Sequence, residues 1–204
     1  MLIYMQNRYL YTLIFIALST LISCKTSSAD RFPTSTLPAT TLQTGDIAFR
    51  LGRSIESRVI AAEGNYSHIG IVIHRDTSVQ IIHIEPERNS EEKTKYSTIE
   101  EFFAPEYALS GAIMRLKNID SSQQEKIESY ILSLQDISFD HDYDLADSSR
   151  MYCTELVWHT YNHLGIDISR NIRHRVPLAK EGVILPNDIY SHPDLQEIWS
   201  FKNK

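Results

Sequence analysis

The sequence predicts an α+β fold, in which helices pack against an antiparallel sheet. Two runs rich in β-branched residues, 68–74 and 79–85, are separated by a short polar segment and predict an antiparallel hairpin. Apolar residues recur at helical spacing over 121–134 and 153–164, which predicts two amphipathic helices, and Gly165 ends the second. These hairpin and helix patterns together favour an α+β domain.

The remaining segments fit the same domain. No internal repeat and no second linker interrupt the chain after residue 41, so we predict one domain over 42–204. Its other predicted elements are a strand over 45–50, a helix over 54–63, a short helix over 98–103, a strand over 112–116 and a polar loop over 136–150.

Composition sets broad limits on function. The chain has 204 residues, 42% of them hydrophobic and 23% charged, which is ordinary for a globular protein. A domain of this size can bury a core without disulfide or metal staples. The net charge of −6, with no run of basic residues, gives no reason to expect nucleic acid as a partner.

The N-terminus has a different composition from the rest of the chain. An apolar run over 9–22 contains no charge and ends in the sequence LISC at Cys24. This resembles the lipobox of bacterial lipoproteins, so residues 1–24 are predicted to be a lipoprotein signal peptide with lipid on Cys24. An ordinary cleaved leader and a short membrane anchor are the alternatives. The Ser-, Thr- and Pro-rich segment 25–41 reads as a flexible tether, which predicts a cell-envelope protein anchored to a membrane and facing the periplasm or the exterior.

The cysteine count draws attention to Cys153. If Cys24 carries lipid, Cys153 has no disulfide partner, and a free thiol in an exported protein calls for a functional explanation. A buried and inert thiol is the alternative. No Cys/His spacing suggests zinc, so we expect neither a metal nor an organic cofactor.

Cys153 is predicted to begin its helix, where unpaired N–H groups and the helix dipole stabilise a thiolate. We therefore expect a thiol of low pKa. His68, at the start of the hairpin, is the best candidate for its base, with a structural histidine as the alternative. The other histidines are expected to be solvated: His74, His141, His159, His163, His174 and His192.

The hairpin also offers a residue that could orient His68. With the turn at 75–78, His68 lies opposite Glu85, while Gly70 lies opposite His83. A register shift of two would instead bring His83 opposite His68. Either side chain could act as the third member of a cysteine–histidine triad.

Two motifs carry a family resemblance. The sequence YSHIGIV beginning at Tyr66 and the sequence YCTELVW beginning at Tyr152 resemble those of the circularly permuted papain-like amidases, the YiiX/YebB-like branch of the NlpC superfamily. In that group the cysteine follows the histidine along the chain. The resemblance covers about residues 42–195, with further matching pieces at 42–47, 82–84, 139–140 and 185–190.

The resemblance implies an antiparallel sheet packed against a helix that bears the nucleophilic cysteine. It places the third residue at His83, although many relatives carry glutamate there and Glu85 lies two positions on. It also makes Tyr152 a substrate contact, with a core aromatic as the alternative, and we add Tyr66 and Asp46 as candidate substrate contacts.

The expected reaction is acyl transfer through Cys153, with an amide of a cell-wall peptide as the substrate. Lipid amides or esters are the enzymatic alternative, and a non-catalytic lipoprotein that binds wall peptide is the other. The oligomeric state stays open.

Overall fold

The computed structural model describes residues 37, 41–54, 57, 60–61, 64–75, 78–86, 93–175 and 182–202. The predicted signal peptide with Cys24, nearly all of the tether and much of the predicted 54–63 helix lie outside the described residues. Within these ranges, no helix is both long enough and apolar enough to cross a membrane.

An antiparallel sheet forms the centre of the described domain. Its six strands are β1 (Ile47–Gly52), β2 (His68–Arg75), β3 (Ser78–His83), β4 (Lys95–Ser97), β5 (Ala108–Leu116) and β8 (Leu195–Lys202). Two further short strands, β6 (Ser138–Phe139) and β7 (Arg150–Met151), form a separate parallel pair. The six strands of the main sheet lie in the order β4-β3-β2-β1-β5-β8. The α+β expectation is thereby confirmed.

Both faces of the sheet are covered, which explains its nearly continuous apolar strands. Along β2, Ile69, Ile71 and Ile73 point into a core shared with the helix that begins at Cys153. Val72 points to the other face, where a second core contains Phe102 and Trp199. Polar residues within such strands are therefore conspicuous, and they mark the candidate site.

Four helices are described: α1 (Ile99–Phe102), α2 (Ser121–Ser133), α3 (Cys153–Asn162) and α4 (Pro186–Tyr190). Their starts follow local capping rules. The Thr98 hydroxyl accepts a hydrogen bond from the Glu101 backbone N–H at 3.2 Å, and the Glu101 carboxylate accepts from Thr98 N–H at 2.8 Å. At α3, the Glu155 carboxylate accepts from Tyr152 N–H at 3.3 Å. The predicted helices over 98–103, 121–134 and 153–164 are confirmed within about two residues.

Three strand predictions need correction. The strand predicted over 112–116 begins at Ala108. The segments 95–97 and 195–202 form β4 and β8, the two edges of the sheet, where one side of the strand faces solvent and the apolar alternation is weak. The predicted loop over 136–150 contains β6 and the first residue of β7.

Candidate active site

A cavity of about 480 Å³ lies over one end of the central strands and is lined by Cys153, His68 and Glu85. The rest of its lining is mostly apolar. The apolar lining includes Ile60, Tyr107, Phe139, Tyr143, Tyr152 and Ile184, and the charged side chains of Arg50, Arg53 and Glu106 also line the cavity. The cavity therefore brings together the predicted nucleophile, the predicted base and Glu85, the alternative third residue, while the preferred third residue, His83, is not among its lining residues.

Cys153 is the first residue of α3, as predicted, and its thiol is not in a disulfide. The sulfur lies 3.7 Å from Oγ1 of Thr154, and this hydroxyl and the backbone N–H groups of Ile69 and Thr154 act to lower its pKa. Ile69 directly follows His68, so α3 packs against β2 next to the candidate base. Burial raises the pKa of the Cys153 thiol, and it outweighs these donors, which lower it. The expectation of a low-pKa thiol therefore gains no support from these surroundings, although Cys153 is only partly buried by accessible surface.

His68 is held by a hydrogen-bonded series of side chains. Its Nε2 lies 2.9 Å from Nδ1 of His83, and Nε2 of His83 lies 3.0 Å from Oγ of Ser97. We call His68, His83 and Ser97 the imidazole chain. Because Nε2 of His68 is committed to His83, Nδ1 is the ring nitrogen left to take a proton from a thiol.

Burial favours the neutral form of both imidazoles. It lowers the pKa of His68 well below the ordinary value, and it lowers the pKa of His83 to about 3. A neutral series is satisfied when His68 Nε2–H donates to His83 and His83 Nε2–H donates to Ser97. That tautomer leaves Nδ1 of His68 unprotonated and basic.

A glycine lets His83, and not only Glu85, approach His68. The β2–β3 register pairs Ile71 with Ile82, which is the unshifted pairing and confirms the predicted hairpin. It sets Gly70 against His83, and a Cβ built on Gly70 would lie 3.0 Å from Cβ of His83. The missing side chain leaves room for the His83 ring to lean diagonally across the strands toward His68.

Gly70→Ala should therefore damage both stability and turnover. The added methyl would also lie 2.7 Å from the carbonyl oxygen of Ile82, so the hairpin must shift. We expect the free energy of unfolding to fall by about 1–3 kcal/mol, the usual cost of overpacking. Denaturant unfolding checks the first effect, and hydrolysis measured at a temperature where the variant is still folded checks the second. A folded variant with full turnover would show that His83 does not need this space.

Glu85 is engaged by cations. Its Oε1 lies 3.1 Å from Nζ of Lys95, and its Oε2 contacts the guanidinium of Arg50. Oε2 is also 3.8 Å from Nε2 of His68, which is beyond hydrogen-bond distance. Burial raises the pKa of Glu85, but Arg50, His83 and Lys95 outweigh it and lower the pKa below the ordinary value. We call Arg50, Glu85 and Lys95 the ion network.

Sequence reasoning missed Arg50 and Phe102. Phe102 stacks on His68 with ring centroids 5.6 Å apart, meets His83 edge-on at 5.1 Å, and lies 4.8 Å from the Arg50 guanidinium. Arg50 had a usable signal, because it is a charged residue inside the otherwise apolar strand Ile47–Gly52. Phe102 had none, since its place beside the histidines depends on how α1 packs on the sheet.

Of the three predicted substrate contacts, the structure places only Tyr152 on the cavity. Its hydroxyl accepts a hydrogen bond from Ile184 N–H at 2.9 Å. Tyr66 is a core residue whose ring packs against Tyr190, with centroids 4.9 Å apart.

Asp46, the third of these residues, is a buried structural carboxylate. Its Oδ1 accepts a hydrogen bond from Nε of Arg115 on β5 at 2.7 Å, and its Oδ2 accepts from Gln43 N–H at 2.8 Å. Neither Tyr66 nor Asp46 lines the cavity, so we do not retain them as substrate contacts.

Two of the histidines expected to be solvated have carboxylate partners instead. Nε2 of His159 lies 3.4 Å from the fully buried carboxylate of Glu155. Nε2 of His174 lies 2.9 Å from Asp188, which also accepts from the Leu185 backbone N–H at the start of α4. Both pairs lie within the scaffold around the cavity, and the sequence pattern alone did not indicate them.

His68, His83 and Glu85 are also a possible metal-ligand set, because their donor atoms lie within 4.8 Å of one another. Their arrangement fits a divalent ion poorly. The two ring nitrogens are aimed at each other, whereas metal ligands aim their lone pairs at one common point about 2 Å away. Glu85 is already shared by two cations, which would repel a third.

The structure of this chain is similar to a crystal structure of the metalloprotein YiiX from Escherichia coli O157:H7. The TM-score is 0.66 with 21% sequence identity, covering 78% of this chain and 98% of that one. The sequence is 27% identical over 130 residues to the uncharacterized protein YiiX of Escherichia coli K12. That match covers 62% of this chain and 61% of the relative, so it spans less than two thirds of the relative's length.

A family model covers most of the described domain. Residues 41–199 match the model described as permuted papain-like amidase enzyme, YaeF/YiiX, C92 family. The matched range includes the cavity, the imidazole chain and α3 with its cysteine. The chain belongs to the permuted papain-like amidase family.

Proposed function

We propose that this protein is a cysteine hydrolase that cleaves an amide bond by acyl transfer through Cys153. The observation that carries the proposal is the 2.9 Å hydrogen bond between Nε2 of His68 and Nδ1 of His83, in a cavity that His68 shares with the free thiol of Cys153. Membership of an amidase family supports the reaction class. A groove that only bound wall peptide would need neither a free thiol nor an oriented imidazole, so we set the non-catalytic alternative aside.

The proposed reaction begins with a Cys153 thiol and a neutral His68 imidazole. As the sulfur of Cys153 attacks the amide carbonyl, its proton passes to Nδ1 of His68. The backbone N–H groups at the start of α3 are suited to stabilising the oxyanion. His68 then protonates the departing amine, which leaves a thioester on Cys153. Water, deprotonated by His68, attacks the thioester and releases the acid.

The cavity favours an acyl chain as the group transferred to Cys153. Most of its lining surface is apolar, which suits an acyl chain, while the charged side chains of Arg53 and Glu106 and the hydroxyls of Ser54, Ser57 and Ser67 also line it. Ile60 is 43% exposed and Tyr107 is 57% exposed; they are the large exposed hydrophobic residues of the described chain, and both line this cavity. Of the two substrate classes that the sequence left open, we therefore prefer lipid amides or esters to wall peptides.

A homologous series of N-acyl amides, from acetyl to myristoyl, tests this preference. We expect kcat/KM to rise about three- to fourfold per methylene while the chain lies within the cavity, since each buried CH₂ contributes about 0.8 kcal/mol. Ile60→Asp should flatten this dependence, whereas Gln196→Asp, which adds the same charge on exposed β8, should not. A rate that ignores chain length, together with rapid cleavage of a wall peptide, would restore the peptide assignment.

The relative YiiX is described as a metalloprotein, but we do not extend a metal to this chain. The candidate donors are paired with one another and with two cations, and the proposed reaction uses them in that paired state.

We also propose that the mature protein is held in the cell envelope by lipid on Cys24, because the apolar run over 9–22 ends in a lipobox-like sequence. Metabolic labelling with a fatty-acid analogue should mark the wild-type protein, and Cys24→Ser should abolish the mark. Stable retention needs more than one acyl chain, so the labelled protein should fractionate with membranes. An unlabelled wild-type protein in the soluble fraction would contradict the proposal.

A further inference from the structure

The ion network lies directly against the imidazole chain, and the proposed reaction does not use it. Oε2 of Glu85 approaches Nε2 of His68 to 3.8 Å, and that nitrogen is hydrogen-bonded to His83 at 2.9 Å. Glu85 is thus a second potential acceptor for this N–H, held just beyond hydrogen-bond distance. A carboxylate is ordinarily the stronger acceptor, since charge-assisted hydrogen bonds are roughly twice as strong as neutral ones.

The two cations are fixed so that they hold Glu85 from two sides. Arg50 is directly across from His68 in the β1–β2 register, and it donates through Nη1 to the carbonyl oxygen of Phe102 at 2.9 Å. Its guanidinium also lies over the Phe102 ring, so it is anchored independently of the carboxylate. Lys95, on β4, holds the other oxygen of Glu85 at 3.1 Å.

We propose that Arg50 and Lys95 are positioning residues: by holding Glu85 they reserve the His68 Nε2–H for His83 and leave Nδ1 of His68 as the basic nitrogen. This inference rests on the proposed function of Cys153 and His68.

Charged and titratable groups of both signs surround His68. They are Arg50 on β1, Lys95 on β4, His83 at the end of β3 with Glu85 two residues beyond it, and Cys153 of α3 on the same cavity. Burial, and then Arg50, His83 and Lys95, lower the pKa of His68. Removing either cation takes away one lowering influence and frees Glu85, whose negative charge favours the imidazolium, so both changes raise the pKa.

An NMR titration of the His68 ring in the full chain carrying Cys153→Ala tests the proposal without any need for turnover. We expect His68 to stay neutral well below pH 6.5 in this background, and Arg50→Met to raise its pKa by about one unit or more. Lys95→Met, at a residue with 29% side-chain exposure, should give a smaller rise in the same direction. Arg75→Met, at an exposed arginine of β2, should leave the titration unchanged.

Glu85→Gln supplies the decisive comparison, because adding it to Arg50→Met should reverse most of the rise. An unchanged His68 titration in both cation variants would overturn the proposal, and so would a rise that Glu85→Gln leaves in place. If Arg50→Met does not fold, Lys95→Met with and without Glu85→Gln makes the same comparison. Failure of the proposed function would have a separate readout, because hydrolysis would then survive the Cys153→Ala substitution.

Discussion

Replacing Cys153 with alanine should abolish hydrolysis while leaving the fold intact. The loss should be on the order of 10⁶ in kcat, as for removal of a nucleophile in other acyl-transfer enzymes. The thiol is a small side chain at the edge of the core, so circular dichroism and thermal unfolding should change little. Steady-state hydrolysis of an N-acyl amide measures the effect.

The other cysteine provides the matched control. Cys24 lies in the predicted lipobox, outside the domain, so Cys24→Ser should change membrane association and leave hydrolysis by the purified protein unaffected. If Cys153→Ala retained turnover, Cys153 would be an inert buried thiol, and the mechanism would need another nucleophile.

His83 should matter far more than Glu85. Removing the orienting member of a catalytic triad can cost a factor on the order of 10⁴, so we expect His83→Ala to lose most turnover. Glu85→Gln should cost about tenfold or less, because Glu85 is 3.8 Å from His68 and is held by cations. Turnover at neutral pH measures both effects.

A rescue separates orientation from structural damage. A glutamate carboxylate can accept the same hydrogen bond from the His68 ring, so His83→Glu should recover much of the activity lost in His83→Ala. It should also raise the pKa of His68, because a carboxylate stabilises the imidazolium. Equal and mild effects of His83→Ala and Glu85→Gln would instead mean that Cys153 and His68 work as a dyad.

Local patterns in the sequence were enough to predict α3 with Cys153 at its start and the hairpin that carries His68. Helical spacing and strand alternation are local properties, and the structure confirms both elements. The edge strands β4 and β8 were not predictable in the same way, because half of each faces solvent and tertiary pairing decides their conformation.

The choice between His83 and Glu85 shows where sequence reasoning stopped. Strand pairing alone sets Glu85 across from His68, and that register is the observed one. The contact is nevertheless made by His83, because Gly70 leaves space beside it and because Arg50 and Lys95 hold Glu85. Arg50 comes from β1 and Lys95 from β4, so their effect on Glu85 depends on the assembled sheet.

The pKa of the Cys153 thiol departs from the sequence prediction for a similar reason. The helix N-terminus predicted a lowered pKa for Cys153, and the N–H donors that cause such lowering are present. The packing of α3 on β2 also buries the sulfur, and burial raises the pKa. Burial at this depth is a property of the fold and is not encoded in the local sequence.

The most direct test of acyl transfer through Cys153 is the mass of the protein quenched in acid shortly after it is mixed with an aryl ester of a fatty acid. Attack by the Cys153 sulfur would release the phenol and leave the acyl group as a thioester. We predict a mass increase of one acyl group, mapped to the peptide that contains Cys153, absent from Cys153→Ala and strongly slowed in His68→Ala. An adduct on another residue, or one that forms only after denaturation, would contradict this mechanism.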